Sequence, residues 1–321
     1  MGTSSETLHE VSNISQGQPV EGRRRTRRLP RTSAWVGYAF IAPNFLGFAI
    51  FTLLPLIFAL VVSFTQWDVT SGLEGIHWVG VQNFIDLLRD ANFWESARIT
   101  AVYIGFSIPL TLIFGLLAAL ALNGPVFGRA ILRFIFFMPY ITNSVAIATI
   151  WLLLYHPTYG PINAALRALG LQNVPGWLVS SQWALPALIV LNIWGGVGYN
   201  AIIYLAALQE VPQELYEAAS IDGASSWTRF HAVTLPFLTP TIFFLLVTGF
   251  IGASQGFGVI NLMTQGGPGR STTVLSYYIY QNAFQFYHYG YAAAMAWVMF
   301  LVVLALTMLL WRVQRRGVFY S

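Results

Sequence analysis

Apolar residues run along this chain in six long blocks, at roughly 35–65, 99–122, 134–155, 183–208, 237–262 and 289–311, each near or above the length a helix needs to cross a bilayer. Short polar stretches between the blocks hold almost all of the charge. The pattern predicts an all-α, polytopic membrane protein with six transmembrane helices. An even number of crossings returns both termini to one side. The blocks divide the chain into a polar, basic tail over residues 1–34, expected to be disordered, a six-helix domain over 35–316, and a short C-terminal end at 317–321.

Composition agrees with that reading. Hydrophobic residues make up 56% of the 321 and charged residues 9%, with a mean hydropathy of +0.62; a soluble domain carries about a quarter charged residues. The net charge of +4 and pI near 9.4 raise the question of nucleic acid, but all sixteen basic residues are arginines and they flank the apolar blocks. They therefore report membrane topology, and no nucleic-acid partner is expected. Arg23, Arg24, Arg25, Arg27, Arg28 and Arg31 precede the first block, Arg129 and Arg133 lie between the second and third, Arg229 follows the fourth, and Arg312, Arg315 and Arg316 follow the sixth. Arg89, Arg98, Arg167 and Arg270 fall on the opposite side. Twelve of the sixteen on one side places both termini and the 209–236 loop in the cytoplasm. The Arg27-Arg28 pair is not read as an export signal, because the apolar run from Trp35 is about twice the 7–15 residues of a signal core.

The blocks contain no acidic or basic residue in their interiors. Gradient-driven transporters usually keep such groups inside the membrane to titrate or coordinate, so an ion-coupled secondary transporter is the weaker alternative, although sodium held by backbone carbonyls would leave no such trace. A nucleotide site is also missing: Gly266-Gly267-Pro268-Gly269-Arg270 is rich in glycine, but a phosphate-binding loop needs a lysine and the chain has none. That stretch reads as a tight turn. No cysteine is present, which removes disulfides and thiolate metal sites; no metal or cofactor is expected. His77, His156 and His288 lie outside the blocks without a nucleophile paired to them, so no enzymatic activity is expected.

Neutral polar residues do occur inside or at the edges of the blocks: Asn143, Ser144, Asn192, Tyr199, Asn200, Tyr204, Ser254 and Gln255. Pro55, Pro109, Pro139 and Pro186 are expected to interrupt the helices around them. Asn192 and Tyr199 are seven residues apart and share a helical face with Gly195 and Gly196 between them. Asn143, Ser144, Asn192, Tyr199 and Gln255 are thus candidates for a solute pathway, through hydrogen bonds and ring stacking. The same residue types also serve helix packing.

The segment from Gln209 to Trp227 predicts two short helices. Pro212 suits a first helical turn and Glu214 its positive end. Gly223 suits the left-handed position that ends a helix. Asp222 or Ser225 can cap the next one. Ala218 and Ala219 leave a smooth surface beside Glu217, on which another protein's backbone can approach closely.

The string EAASIDGASSWTRFHAVTLPFLTP, from Glu217 to Pro240, resembles the EAA loop of permease subunits in binding-protein-dependent ABC importers, and more narrowly the carbohydrate-uptake permeases of the maltose and glycerol-3-phosphate type. The similarity extends over nearly all of the chain after residue 35: Val79 to Phe84 resembles the first outer loop, Arg133 to Pro139 with Trp151 the third span, and Gly266-Gly267-Pro268 with Thr272 or Thr273 the last outer loop. Ala207 departs from a frequent glycine, and Ile99-Thr100 from a frequent Asn-Thr. The resemblance implies a non-catalytic subunit in the bacterial inner membrane. It further implies docking of an ABC ATPase subunit on Glu217, Ala218, Ala219, Asp222 and Gly223. The implied partners are two ATPase subunits, a second, homologous permease subunit and an extracytoplasmic solute-binding protein, with membrane lipid around the spans. The implied cargo is a sugar or sugar-like solute, with glycerol-3-phosphate or another polyol as the alternative. On topology, the outer loops 66–98 and 156–182, with Trp177 and Trp183, are expected to meet the binding protein.

Overall fold

The structure is a computed structural model that describes residues 31–67, 72 and 74–317; residues 1–30 of the predicted basic tail and 318–321 of the C-terminal end lie outside the described residues. In chain order the elements are α1 (Arg31–Phe48), a π-helical stretch (Ala49–Leu53), α2 (Leu54–Val62), β1 (Thr65–Gln66), β2 (His77–Trp78), α3 (Gln82–Arg89), α4 (Ala91–Asn123), α5 (Arg129–Ile141), α6 (Ser144–Leu154), α7 (Pro161–Ala168), α8 (Ala184–Glu210), α9 (Gln213–Ile221), α10 (Ser226–Arg229), a second π stretch (Phe230–Thr234), α11 (Leu235–Ser254), α12 (Phe257–Met263), α13 (Leu275–Tyr280), a third π stretch (Gln281–Gln285) and α14 (Tyr289–Gly317). The two strands form one short antiparallel pair, Thr65 with Trp78 and Gln66 with His77.

Five uninterrupted helical stretches are long and apolar enough to span a bilayer: Trp35–Val62, Ala91–Asn123, Ala184–Glu210, Ser226–Ser254 and Tyr289–Arg312. The third predicted span, at 134–155, is broken. Its two halves, α5 and α6, meet at an angle of 99°. Pro139 withholds an amide proton just before the break, Thr142 turns to an extended conformation, and the Asn143 side chain accepts from the Val145 N–H at 2.8 Å to cap α6. The other prolines behave differently from the sequence expectation. Pro109 lies inside the continuous α4, and Pro186 occupies the first turn of α8, where its missing N–H has no partner to lose. Pro55 follows the π stretch at the start of α2.

The chain divides into two compact units, Met1–Leu56 and Ile57–Ser321. In the first, the helical residues from Trp35 onward expose nearly every large side chain, Phe40 and Phe51 at about four-fifths. In water such a surface would aggregate; in a bilayer it is solvated by lipid tails.

In the second unit α4 and α8 form the central pair. Gly115 of α4 lies against Asn200, and Gly196 of α8 against Thr111. Small residues at facing positions let two backbones approach where lipid supplies no hydrophobic drive. Gly198 carries the tightest approach: a Cβ there would overlap the Phe136 carbonyl of α5. Around this pair, Ile108, Leu112, Tyr204, Leu238 and Leu245 make one core, and Trp151, Tyr155, Leu188, Ile260 and Tyr277 another.

A polar cluster closes the end of the unit at which α4 begins. Asp90 caps α4, accepting from the Asn92 N–H at 2.8 Å, and its second oxygen accepts from the hydroxyls of Tyr278 at 2.7 Å and Tyr291 at 2.8 Å. Arg270 pairs with Glu95 at 3.1 Å and lies over the Tyr278 ring. Burial alone would raise the Asp90 carboxyl. The hydrogen bonds from Tyr278 and Tyr291 and from the backbone of Asn92 and Phe93 outweigh it and hold the group below its ordinary 3.8. A depressed carboxylate stabilises the fold at pH values above 3.8 and loses that contribution as the pH falls through its lower folded value. The melting-temperature difference between the wild type and Asp90→Asn in detergent is therefore expected to be constant from neutral pH down to about 4 and to shrink below it.

Candidate functional site

Two places concentrate the residues singled out from the sequence. The first is a cavity of about 410 Å³ inside the second unit, walled by α4, the α5–α6 elbow, α8 and α11. Its polar groups are Thr111, Tyr140, Thr142, Ser144, Asn192, Tyr199, Asn200 and Thr248, and none of its lining residues is charged. Helical spacing puts Asn192 and Tyr199 on the same wall, with Gly195 and Gly196 between them. The Tyr199 ring stacks on Tyr140 with centroids 4.5 Å apart and planes 19° from parallel. Asn192 shares a hydrogen bond with the hydroxyl of the buried Tyr103. Asn200, 8% exposed, lines the same cavity and packs against Gly115 of α4.

Of the five candidate pathway residues, Ser144, Asn192 and Tyr199 line this cavity. Asn143 lies at the elbow, occupied in capping α6, and Gln255 follows the end of α11 beyond the lining. Sequence reasoning missed Thr111, Tyr140, Thr142 and Thr248. The only signal for Tyr140 was its position beside Pro139, next to the break.

The second place is the segment from Pro212 to Thr234. Pro212 stands one residue before α9, at its N-cap, and Glu214 occupies the first turn. Gly223 has φ +75°, the Ala224 N–H bonds the Ala219 carbonyl at 2.9 Å, and the Gly223 N–H bonds the Ser220 carbonyl at 3.1 Å. These two bonds form the motif that ends a helix on a left-handed residue. Ser225, rather than Asp222, caps α10 by accepting from the Thr228 N–H at 3.2 Å. Glu217, Ala218, Asp222 and Gly223 are exposed and Ala219 is half-buried. Beside them Ile221 is 87% exposed and Trp227 72% exposed, an apolar surface unusual for a connector. The Tyr216 hydroxyl meets Thr234 Oγ1 at 3.0 Å, tying α9 to the stretch that leads into α11.

Residues 111–319 match the family described as the inner membrane component of binding-protein-dependent transport systems. The chain belongs to this family. As a multi-pass permease of the inner membrane, it resembles a probable ABC transporter permease protein, YesP, of Bacillus subtilis, with 37% identity covering 95% of this chain and 98% of the relative. The permease is also 34% identical to the trehalose/maltose transport system permease protein MalF of Thermococcus litoralis, over 90% of this chain and 97% of that one. Among solved structures, it superposes on a chain of a bacterial ABC transporter involved in the import of the acidic polysaccharide alginate, with a TM-score of 0.77, 28% identity, and coverage of 89% of this chain and 96% of the other. A second structure of an alginate transporter, with its periplasmic protein bound to an alginate pentasaccharide, matches equally well.

Proposed function

We propose that this permease forms half of the translocation pathway of an ABC importer for a neutral sugar or sugar-like solute. The observation that carries this reading is the uncharged cavity bordered by Asn192, Asn200, Tyr140 and Tyr199. Carboxamides both donate to and accept from sugar hydroxyls, and aromatic faces suit the apolar faces of pyranose rings. Glycerol-3-phosphate is the weaker cargo, because its phosphate would enter the cavity without a cation to meet it. Relatives that transport trehalose, maltose and lactose support the sugar class.

In this reading both termini and the Pro212–Thr234 segment face the cytoplasm, as the arginine distribution predicts. Of two separate ATPase subunits, one seats α9 at Glu217–Gly223. A homologous permease completes the pathway, and a solute-binding protein delivers cargo from outside. Closure of the ATPases moves α9. The Tyr216–Thr234 contact passes that motion to α11, which forms a cavity wall.

Uptake by proteoliposomes carrying the full complex tests the cargo assignment. Asn192→Ala is expected to raise the half-saturating solute concentration roughly fivefold, the equivalent of one neutral hydrogen bond of about 1 kcal/mol. Unchanged solute dependence with a lowered melting temperature would assign Asn192 to helix packing instead.

A further inference from the structure

Arg129 and Arg133 begin α5 one turn apart, directly after the short connection from the end of α4. Both are half-buried, and the Nε atom of each is shielded from water without a hydrogen-bond partner. Arg129 gives one long hydrogen bond, at 3.3 Å, to the Asn123 carbonyl, and Arg133 gives none among the described residues. No carboxylate pairs with either, since the one salt bridge among the described residues joins Arg270 to Glu95. An Nε shielded from water without an acceptor carries an electrostatic cost that an anion would relieve.

The surroundings identify the anion's source. Phe127, in the connection, is wholly exposed, and Ile131 and Phe134 on α5 are about two-thirds exposed. The transmembrane helix α4 ends at Asn123. The arginines therefore stand where hydrocarbon gives way to headgroups, with an aromatic side chain beside them. Gly198 of α8 meets Phe136 of α5, so Arg133 lies about 4.5 Å, and Arg129 roughly 10 Å, further along α5 from that contact at 1.5 Å per residue. The α5 N-terminus itself has no side-chain cap, which adds positive potential at the same place.

We propose that Arg129 and Arg133 bind the phosphate of an anionic phospholipid, held at the α4–α5 junction with its acyl chains beside Phe127. Guanidinium forks match phosphate oxygens, and this lipid would brace α5 against α8 on the side away from the cavity elbow. The proposal depends on membrane embedding alone and stands apart from the choice of cargo.

Native mass spectrometry of the full chain in mild detergent tests it, with phosphatidylglycerol titrated against phosphatidylcholine. The wild type is expected to retain phosphatidylglycerol preferentially. Arg129→Gln with Arg133→Gln should weaken that binding about twenty-five-fold, from a factor of about five per interfacial arginine. Arg229→Gln with Arg312→Gln removes the same charge elsewhere and should leave it near the wild-type value. Equal loss in both double variants, or no preference in the wild type, would overturn the proposal. So would displacement of the lipid by inorganic phosphate, which would indicate a free-anion site. Unchanged lipid binding with lost co-purification of an ATPase subunit would assign the pair to a protein partner. Should the glutamine variant fail to fold, Arg129→Lys with Arg133→Lys keeps the charge and loses the fork, and an intermediate loss is expected.

Discussion

Gly223→Val is expected to abolish ATP-driven uptake while leaving normal amounts of a folded chain in the membrane. Gly223 holds φ +75°, and no neighbouring atom lies within 4 Å of where a Cβ would stand. Crowding is therefore not the issue. An L-residue in the left-handed region costs about 1–2 kcal/mol, and a β-branched one is a conformational outlier there. The strain is relieved most easily by releasing the bonds from Ala224 to Ala219 and from Gly223 to Ser220, which unwinds the end of α9. Glu217, Ala218 and Asp222 then lose their shared surface, although the exposed loop contributes little to global stability. Glu217→Lys should have the same functional effect by reversing charge without strain. Uptake and melting temperature measured together separate the two consequences: lost transport with a near-normal melt is the expected pair.

The second large effect is on stability. Gly198→Ala would drive a methyl group into the Phe136 backbone carbonyl. Two helix backbones, rather than a flexible side chain, would have to separate, and overpacking of this kind costs about 1–3 kcal/mol or more. Because Tyr199 is the next residue and stacks on Tyr140 across the same contact, the cavity wall should open as well. Gly195→Ala provides the comparison. Nothing lies within 4 Å of a Cβ there, so helix propensity favours the alanine by about 1 kcal/mol. Thermal unfolding in detergent should place Gly198→Ala well below the wild type and Gly195→Ala at or above it. A wild-type melt for Gly198→Ala would contradict the α5–α8 contact.

Much of this architecture could be read from the chain because membranes impose simple rules. Apolar length located the spans, and Pro212, Glu214 and Gly223 located α9 with its C-terminal cap. The break between α5 and α6 was hidden because Thr142, Asn143 and Ser144 are small and neutral and scarcely interrupt the apolar run at 134–155. The start of α4 was placed late for the opposite reason: the helix continues through Glu95 and Arg98 to Ala91, where charge is satisfied outside the apolar block. Asn192 and Tyr199 were paired correctly by periodicity, but Thr111, Tyr140 and Thr248 come from other helices. Their meeting depends on how closely α4 and α5 approach α8, and periodicity within one helix carries no information about that distance.

The most direct test of the account uses the absence of cysteine from the chain. Ala218→Cys introduces a single thiol on the exposed surface of α9, and the complex is then assembled with an ATPase subunit carrying one cysteine in the cleft expected to receive α9. Oxidation should yield a disulfide-linked permease–ATPase pair whose formation changes when ATP is bound. Failure to cross-link in a complex that still transports would contradict the docking of the ATPase at Glu217–Gly223.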